Sequence, residues 1–140
     1  MKANKLLVTV AYLSFVGVLL AVYLLWQQFF RPAFQPCNIN SWINCNAVIS
    51  GPVAKTFGLP TPIYGLIGYL VMIIASLTNN RKLLFAMASF GLLFCAYIAY
   101  EELIILRVIC PVCITCQLIM LTVFSLSTYL IRQKQESIAK

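Results

Sequence analysis

The chain has 140 residues, of which 62% are hydrophobic and only 9% are charged. A soluble domain carries about 25% charged residues, so this composition excludes an ordinary water-soluble fold and indicates a protein whose solvent is the lipid bilayer. The sequence contains no histidine and no aspartate, which excludes a histidine-containing catalytic triad and most metal-ligand chemistry. The net charge is +7, but the basic residues separate apolar stretches and form no stripe interleaved with aromatic residues. This distribution predicts membrane topology rather than nucleic-acid binding.

Four apolar stretches are long enough to cross the hydrocarbon core of a bilayer, which takes about 20 residues in a helix. They run over about 6–30, 62–78, 83–100 and 110–131. We predict helices, because lipid leaves no backbone group unpaired and these stretches lack the alternation of a strand. A signal peptide is the alternative for the first stretch, but its apolar run is too long and no small-residue cleavage site follows it. The sequence therefore predicts a single all-α membrane domain over 1–140, a bundle of four transmembrane helices.

The basic residues predict how this bundle is oriented. Seven of the ten lie on one predicted face: Lys2, Lys5, Arg81, Lys82, Arg132, Lys134 and Lys140. An excess of lysine and arginine marks the cytoplasmic side, so both termini, including a tail over 132–140, are expected in the cytoplasm. The protein would then lie in the inner or plasma membrane, and the long loop over 31–61 and the start of the fourth span would face outward.

Four of the six cysteines fall on this predicted outer face. They are Cys37 and Cys45 in the loop, and Cys110 and Cys113 at the start of the fourth span. Disulfides persist on the oxidising side of a membrane. Four cysteines allow three pairings, and spacing does not choose between them. Cys95 and Cys116 lie within spans, where they are expected to be small packing residues.

The Cys-x-x-Cys motif has the features of an exchange-active pair. Cys110 and Cys113 are three residues apart at a helix start, so their sulfurs can meet, and Pro111 suits the first helical turn. The helix dipole stabilises a thiolate there, and thiolates carry out disulfide exchange. One alternative is a pair of structural disulfides that tie the loop to the bundle. A metal site is another, although Cys116 would lie in the lipid layer and the fourth cysteine of an iron–sulfur motif is missing.

Two neighbouring pairs favour an electron relay. A soluble protein dithiol could exchange with the loop pair and the loop pair with the helix pair, after which a lipid-soluble quinone would accept the electrons. A non-catalytic membrane assembly factor or transporter subunit with structural disulfides is the hypothesis from a different class. The other family of four-helix quinone-linked thiol oxidases carries Cys-x-x-Cys in its first outer loop, and the order here is reversed.

Two segments resemble the vitamin K epoxide reductase family, in its prokaryotic disulfide-forming branch. They are the loop CNINSWINCNAVISGPVAKTFGLPTPIYGLIGYL and the motif region AYIAYEELIILRVICPVC, and the size and order of the spans agree. The resemblance implies that Cys37 exchanges with a soluble partner and that Cys45 shuttles through a transient disulfide with Cys110. It implies that Cys113 faces a quinone of the menaquinone or ubiquinone type, with no metal.

The family also implies the partner, a thioredoxin-fold thiol oxidase outside the cytoplasm. Some members carry it as a fused domain. Because this chain stops after the tail over 132–140, the partner is expected to be a separate protein. Membrane lipid is the other expected contact, and no nucleic acid is expected to bind.

The chain departs from the family pattern near the expected quinone site. Many members have a serine six residues after the second loop cysteine, where this chain has Gly51 preceded by Ser50. The vertebrate members have a tyrosine seven residues after the first cysteine of Cys-x-x-Cys and an asparagine just before the second helix. This chain has Gln117 and Thr61 at those positions, so vitamin K epoxide is not an expected substrate. The candidate quinone contacts are therefore Ser50, Thr61, Gln117 and Tyr97, the last of which could instead belong to an aromatic belt.

The outer loop is expected to lie across the bundle mouth as a short amphipathic cap. Its apolar residues would sit at the membrane interface, where tryptophan is favoured: Trp42, Ile43, Val48, Ile49, Val53 and Phe57.

Overall fold

The computed structural model describes residues 2–30, 33–34, 36–51 and 54–139. Four long helices dominate it. The long helices are α1 (Lys2–Phe30), α3 (Thr61–Leu77), α4 (Arg81–Tyr100) and α5 (Pro111–Ala139). A short helix, α2 (Cys45–Ser50), lies in the loop after α1, and a π-helical turn over Glu101–Leu106 follows α4. Two short strands, β1 (Lys55–Thr56) and β2 (Leu59–Pro60), form an antiparallel hairpin.

Three helices are long and apolar enough to cross a membrane, namely 3–30, 81–106 and 111–139. This agrees with the prediction of a helical membrane protein. The second predicted span is α3, which has only 17 residues. At ~1.5 Å per residue it extends ~25 Å, slightly less than a hydrocarbon core of about 30 Å. Four spans and the orientation of the bundle therefore remain predictions.

The helix limits differ from the predicted spans at several ends. The first helix begins at Lys2, and the last continues to Ala139 through the region predicted as a tail. Glutamine, lysine and glutamate in that region have good helix propensity, so the helix need not end where the apolar run does. Lys140, one of the basic residues that predict the topology, lies outside the described residues.

A three-residue turn joins α3 to α4 and makes them antiparallel neighbours. Asn79 has a φ of 53°, a left-handed conformation that commonly ends helices and that asparagine tolerates better than most residues. The Asn80 side chain then accepts the Leu83 N–H at 3.2 Å and caps α4.

The core lies between α1, α3, α4 and α5. Its fully buried residues include Val10, Met72, Leu84, Val123 and Leu130. The Ser76 hydroxyl donates to the Leu7 carbonyl, a polar contact of the kind that joins helices in lipid. At Gly17, an added Cβ would lie 2.5 Å from the Tyr69 ring, so the glycine allows α1 and α3 to approach closely.

The outer loop is a small folded cap. A parallel bridge pairs Ile43 with Ile109, with Ile109 N–H donating to the Trp42 carbonyl at 2.7 Å and Asn44 N–H to the Ile109 carbonyl at 3.2 Å. This bridge fastens the loop to the segment just before α5. The structure is predominantly helical, as predicted, and within the loop a short hairpin and this bridge satisfy part of the backbone.

The predicted interfacial residues of the loop divide into two groups. Val48 and Ile49 are buried at 7% and 3% exposure, whereas Trp42 and Phe57 are 68% and 96% exposed. Ile43 is intermediate, and Val53 lies outside the described residues. The cap therefore packs through α2 and leaves aromatic side chains available to a surrounding interface.

Candidate active site

Three sulfurs meet under the cap. Cys37 and Cys45 form a disulfide with Cα atoms 5.6 Å apart, and Cys110 Sγ lies 2.9 Å from Cys45 Sγ. All three Sγ atoms lie within 4.8 Å of one another and all three residues are buried. Cys113 is a free thiol one turn further along α5, so the structure brings all four predicted cysteines together.

Local backbone structure explains why the sulfurs meet. The Asn44 side chain accepts the Ala47 N–H at 3.1 Å and caps α2, so Cys45 is the first residue of that helix. Cys110 directly precedes α5, and the Ile43–Ile109 bridge holds the two helix starts side by side. Two helix N-termini, each with a cysteine, are thus packed against each other.

The surroundings of Cys110 favour its thiolate. The Cys113 N–H points at Cys110 Sγ over 3.4 Å. The pKa of the Cys110 thiol is lowered, chiefly because the Cys113 thiol donates a hydrogen bond to it; burial opposes this effect, and the N–H groups of Cys113 and Val112 reinforce it. The direction agrees with the prediction from the helix start. A thiolate there, in contact with Cys45 Sγ, is placed for thiol–disulfide exchange.

A cluster of three cysteine sulfurs also has the ligand type of a metal site. Two of the three sulfurs are bonded to each other, however, and the thiolate is the form that binds metals. The arrangement as folded suits exchange between sulfurs.

An apolar cavity of about 220 Å³ lies between the helices, and Cys113 forms part of its wall. The cap covers it through Val48 and Ile49. Its other walls include Leu24 of α1, Tyr64 and Tyr69 of α3, Phe90 and Phe94 of α4, and Cys113, Cys116 and Gln117 of α5. The cavity is smaller than the roughly 300–1,000 Å³ of drug-sized ligand sites, which suits a ring-sized headgroup.

The structure brings two of the four predicted quinone contacts to this cavity. Thr61 and Gln117 line it. Thr61 Oγ1 lies 3.1 Å from Thr56 Oγ1, whereas Gln117 makes no hydrogen bond within the part of the chain that the structure describes. Ser50 is exposed and donates to Asn46 Oδ1 at 2.9 Å, and Tyr97 is 48% exposed. Neither of these two residues is part of the cavity wall.

Sequence reasoning missed several residues of the site. Tyr64 and Tyr69 line the cavity, as do Cys95 and Cys116, which were predicted only as packing residues. Tyr69 donates its hydroxyl to the Cys116 carbonyl at 3.1 Å.

Glu102 is the other residue that was missed. It is 2% exposed, and its Oε1 has no hydrogen-bond partner among the described residues. It lies in the π-helical turn that follows α4, a type of turn that is frequent at functional sites. A glutamate in an apolar run eight residues before Cys110 is the signal that could have identified it.

The described residues thus form a helical protein with apolar spans, in which the Cys37–Cys45 disulfide contacts the Cys110 thiol beside an apolar cavity, an arrangement suited to thiol–disulfide exchange. A model of the vitamin K epoxide reductase family matches residues 8–128. The chain belongs to this family, and membership indicates a quinone-linked thiol oxidoreductase. A search of curated proteins found no match to the chain.

Proposed function

We propose that this protein is a quinone-dependent thiol oxidase that reoxidises a thioredoxin-fold partner outside the cytoplasm and so drives disulfide formation. One observation carries the proposal. Cys110 Sγ lies 2.9 Å from Cys45 Sγ of the Cys37–Cys45 disulfide, while Cys113, one turn along, lines the apolar cavity.

The first exchange involves the loop pair. A thiolate of the partner attacks Cys37 Sγ, and Cys45 leaves as a thiolate. The second thiol of the partner then displaces Cys37, so the partner leaves as a disulfide and the loop pair holds two electrons. Cys37 suits this outer role because it is 8% exposed, whereas Cys45 is fully buried.

The second exchange moves the electrons to the helix pair. The Cys45 thiolate attacks Cys110 Sγ of a Cys110–Cys113 disulfide, and Cys113 leaves as a thiolate. Cys37 then attacks Cys45, which re-forms the loop disulfide and releases Cys110. The present state, with the loop pair bonded and the helix pair free, corresponds to the point just before the electrons leave the protein.

The cavity supports a quinone as the acceptor. Its wall is apolar, it reaches Cys113, and the Gln117 amide is available to donate to a carbonyl oxygen. A bound quinone would supply a two-electron, two-proton acceptor. Thr61, whose hydroxyl lies 3.1 Å from that of Thr56, also lines the wall, and the cap residues Val48 and Ile49 would keep water from the reacting sulfur.

The proposed topology has four spans with both termini in the cytoplasm. In this topology α3 crosses the membrane together with the three longer helices. Its length of ~25 Å is acceptable because it packs against α1 and α4 rather than against lipid alone. The Asn79–Asn80 turn is then cytoplasmic, and the cap faces outward toward the partner.

The function is tested with purified protein, a short-chain ubiquinone or menaquinone analogue and a reduced thioredoxin-fold oxidase. Quinone absorbance should fall as the partner becomes oxidised. Cys113→Ala should abolish quinone reduction, whereas Tyr97→Phe should retain it because Tyr97 lies outside the cavity. Failure of the unmodified protein to reduce quinone, together with loop and helix pairs that resist mild reductants, would instead indicate structural disulfides in a non-catalytic subunit.

A further inference from the structure

Glu102 is a buried carboxyl group that lacks a charged partner. It is 2% exposed, and no lysine or arginine forms an ion pair with it in the described ranges. Arg107, in the same turn, is exposed. A buried carboxylate without a compensating partner is unfavourable, and ionisable groups at membrane depth are usually functional.

The Glu102 carboxyl lies close enough to the Cys113 thiol for the two groups to influence each other's ionisation. The thiols of Cys95, Cys110 and Cys116 are the other titratable groups near it. Cys113 therefore neighbours a buried carboxyl group and also lines the apolar cavity.

The pair formed by Glu102 and Cys113 is able to hold one negative charge. Two adjacent anions in this buried, apolar place would repel each other strongly. The charge can sit on the carboxylate while the sulfur is a thiol, or on the sulfur while the carboxyl is protonated. Moving one proton between them exchanges the two states without adding a charge.

We propose that Glu102 is the proton acceptor of Cys113 during oxidation of the helix pair. The idea rests on the proposed function. The Cys113 thiol gives its proton to the Glu102 carboxylate and becomes a thiolate. Two electrons then pass to the quinone as the Cys110 Sγ–Cys113 Sγ bond forms. The proton held on Glu102 completes the quinol together with a second proton, which comes from the Cys110 thiol or, when Cys110 is already a thiolate, from water. Glu102 is again ionised, and the helix pair has become one disulfide.

A purely structural role of Glu102 is separable from this one. Its backbone carbonyl accepts the Val108 and Arg107 N–H groups, and those bonds do not depend on the side chain. Glu102→Gln keeps the backbone bonds and nearly the same volume, and it removes only the ability to ionise. Glu101→Gln is the matched control, because Glu101 is adjacent but partly exposed.

The main readout needs no quinone. The reduced protein is treated with a small membrane-permeant maleimide, and alkylation of Cys113 is followed by mass spectrometry. Glu102→Gln should slow Cys113 alkylation about tenfold or more, and quinone reduction should fall by about 10²-fold, the lower end for loss of a general base. Glu101→Gln should leave both rates near those of the unmodified protein, and Glu102→Asp should recover part of each.

Folding of the variant is checked by the exchange step that does not involve Glu102, reduction of the Cys37–Cys45 disulfide by the partner. If Glu102→Gln is misfolded, the comparison rests on Glu102→Asp, whose Cys113 should alkylate at an intermediate rate. Unchanged or faster alkylation of Cys113 in a folded variant overturns the proposal. If the unmodified protein reduces no quinone at all, the proposed function fails, whereas the alkylation comparison still tests Glu102.

Discussion

Cys110 is the residue where the two dithiols meet. Its sulfur contacts Cys45 across the loop and accepts the Cys113 N–H within its own helix. Because its pKa is lowered, a larger fraction of this thiol is ionised at a given pH than of an ordinary cysteine. A group with a lowered pKa keeps its charged form until the pH falls through that lowered value.

The pH dependence of Cys110 is measured in variants that cannot close the helix disulfide. In Cys113→Ser and Cys113→Ala, attack of Cys110 on Cys45 should release the Cys37 thiol, which is counted after acid quenching and alkylation. The serine hydroxyl can still donate to Cys110 and alanine cannot, so the midpoint of release should lie at lower pH for the serine variant than for the alanine variant. Equal midpoints would show that the Cys113 side chain does not stabilise the Cys110 thiolate.

At the scale of elements, α1 and α3 are held together by close backbone approach. The ring that occupies the space over Gly17 belongs to Tyr69, which is 3% exposed and hydrogen-bonded to the Cys116 carbonyl. The same ring lines the cavity. The helix contact and the shape of the cavity are therefore linked through one side chain.

Gly17→Ala should lower the thermal unfolding temperature in detergent. The new methyl group would force the Tyr69 ring to move, and overpacking of this kind costs about 1–3 kcal/mol, more than the ~1 kcal/mol gained in helix propensity. Gly65→Ala is the control, since an added Cβ there meets no atom within 4 Å and should be neutral or slightly stabilising. A Gly17→Ala protein as stable as the control would contradict the close contact.

At the scale of the whole molecule, the proposed chemistry requires both dithiols on one side of the membrane. The cap is fastened to the start of α5, and the α3–α4 turn lies at the opposite ends of those helices. The hairpin turn at Phe57, which is 96% exposed, and the turn at Asn79 should therefore lie on opposite sides of the bilayer.

Sidedness is measured with Phe57→Cys and Asn79→Cys and a maleimide that cannot cross membranes. On intact cells, the peptide that contains position 57 should be labelled, and the peptide that contains position 79 should be labelled only after permeabilisation. The opposite pattern would place the cap in the cytoplasm and would exclude a partner outside it.

The sequence by itself indicated that this protein lies in a lipid bilayer, and it indicated the long helices and the two pairs of cysteines. It could do so because composition, the length of apolar stretches and residue spacing are local properties. It also indicated the correct family from short ordered motifs. Only the tertiary structure decided that Cys110 contacts Cys45, that Gln117 and Thr61 reach the cavity while Ser50 and Tyr97 do not, and that Glu102 is buried close to Cys113. These facts depend on distances between residues far apart in the chain, and on which way a π-helical turn and a capped loop direct each side chain.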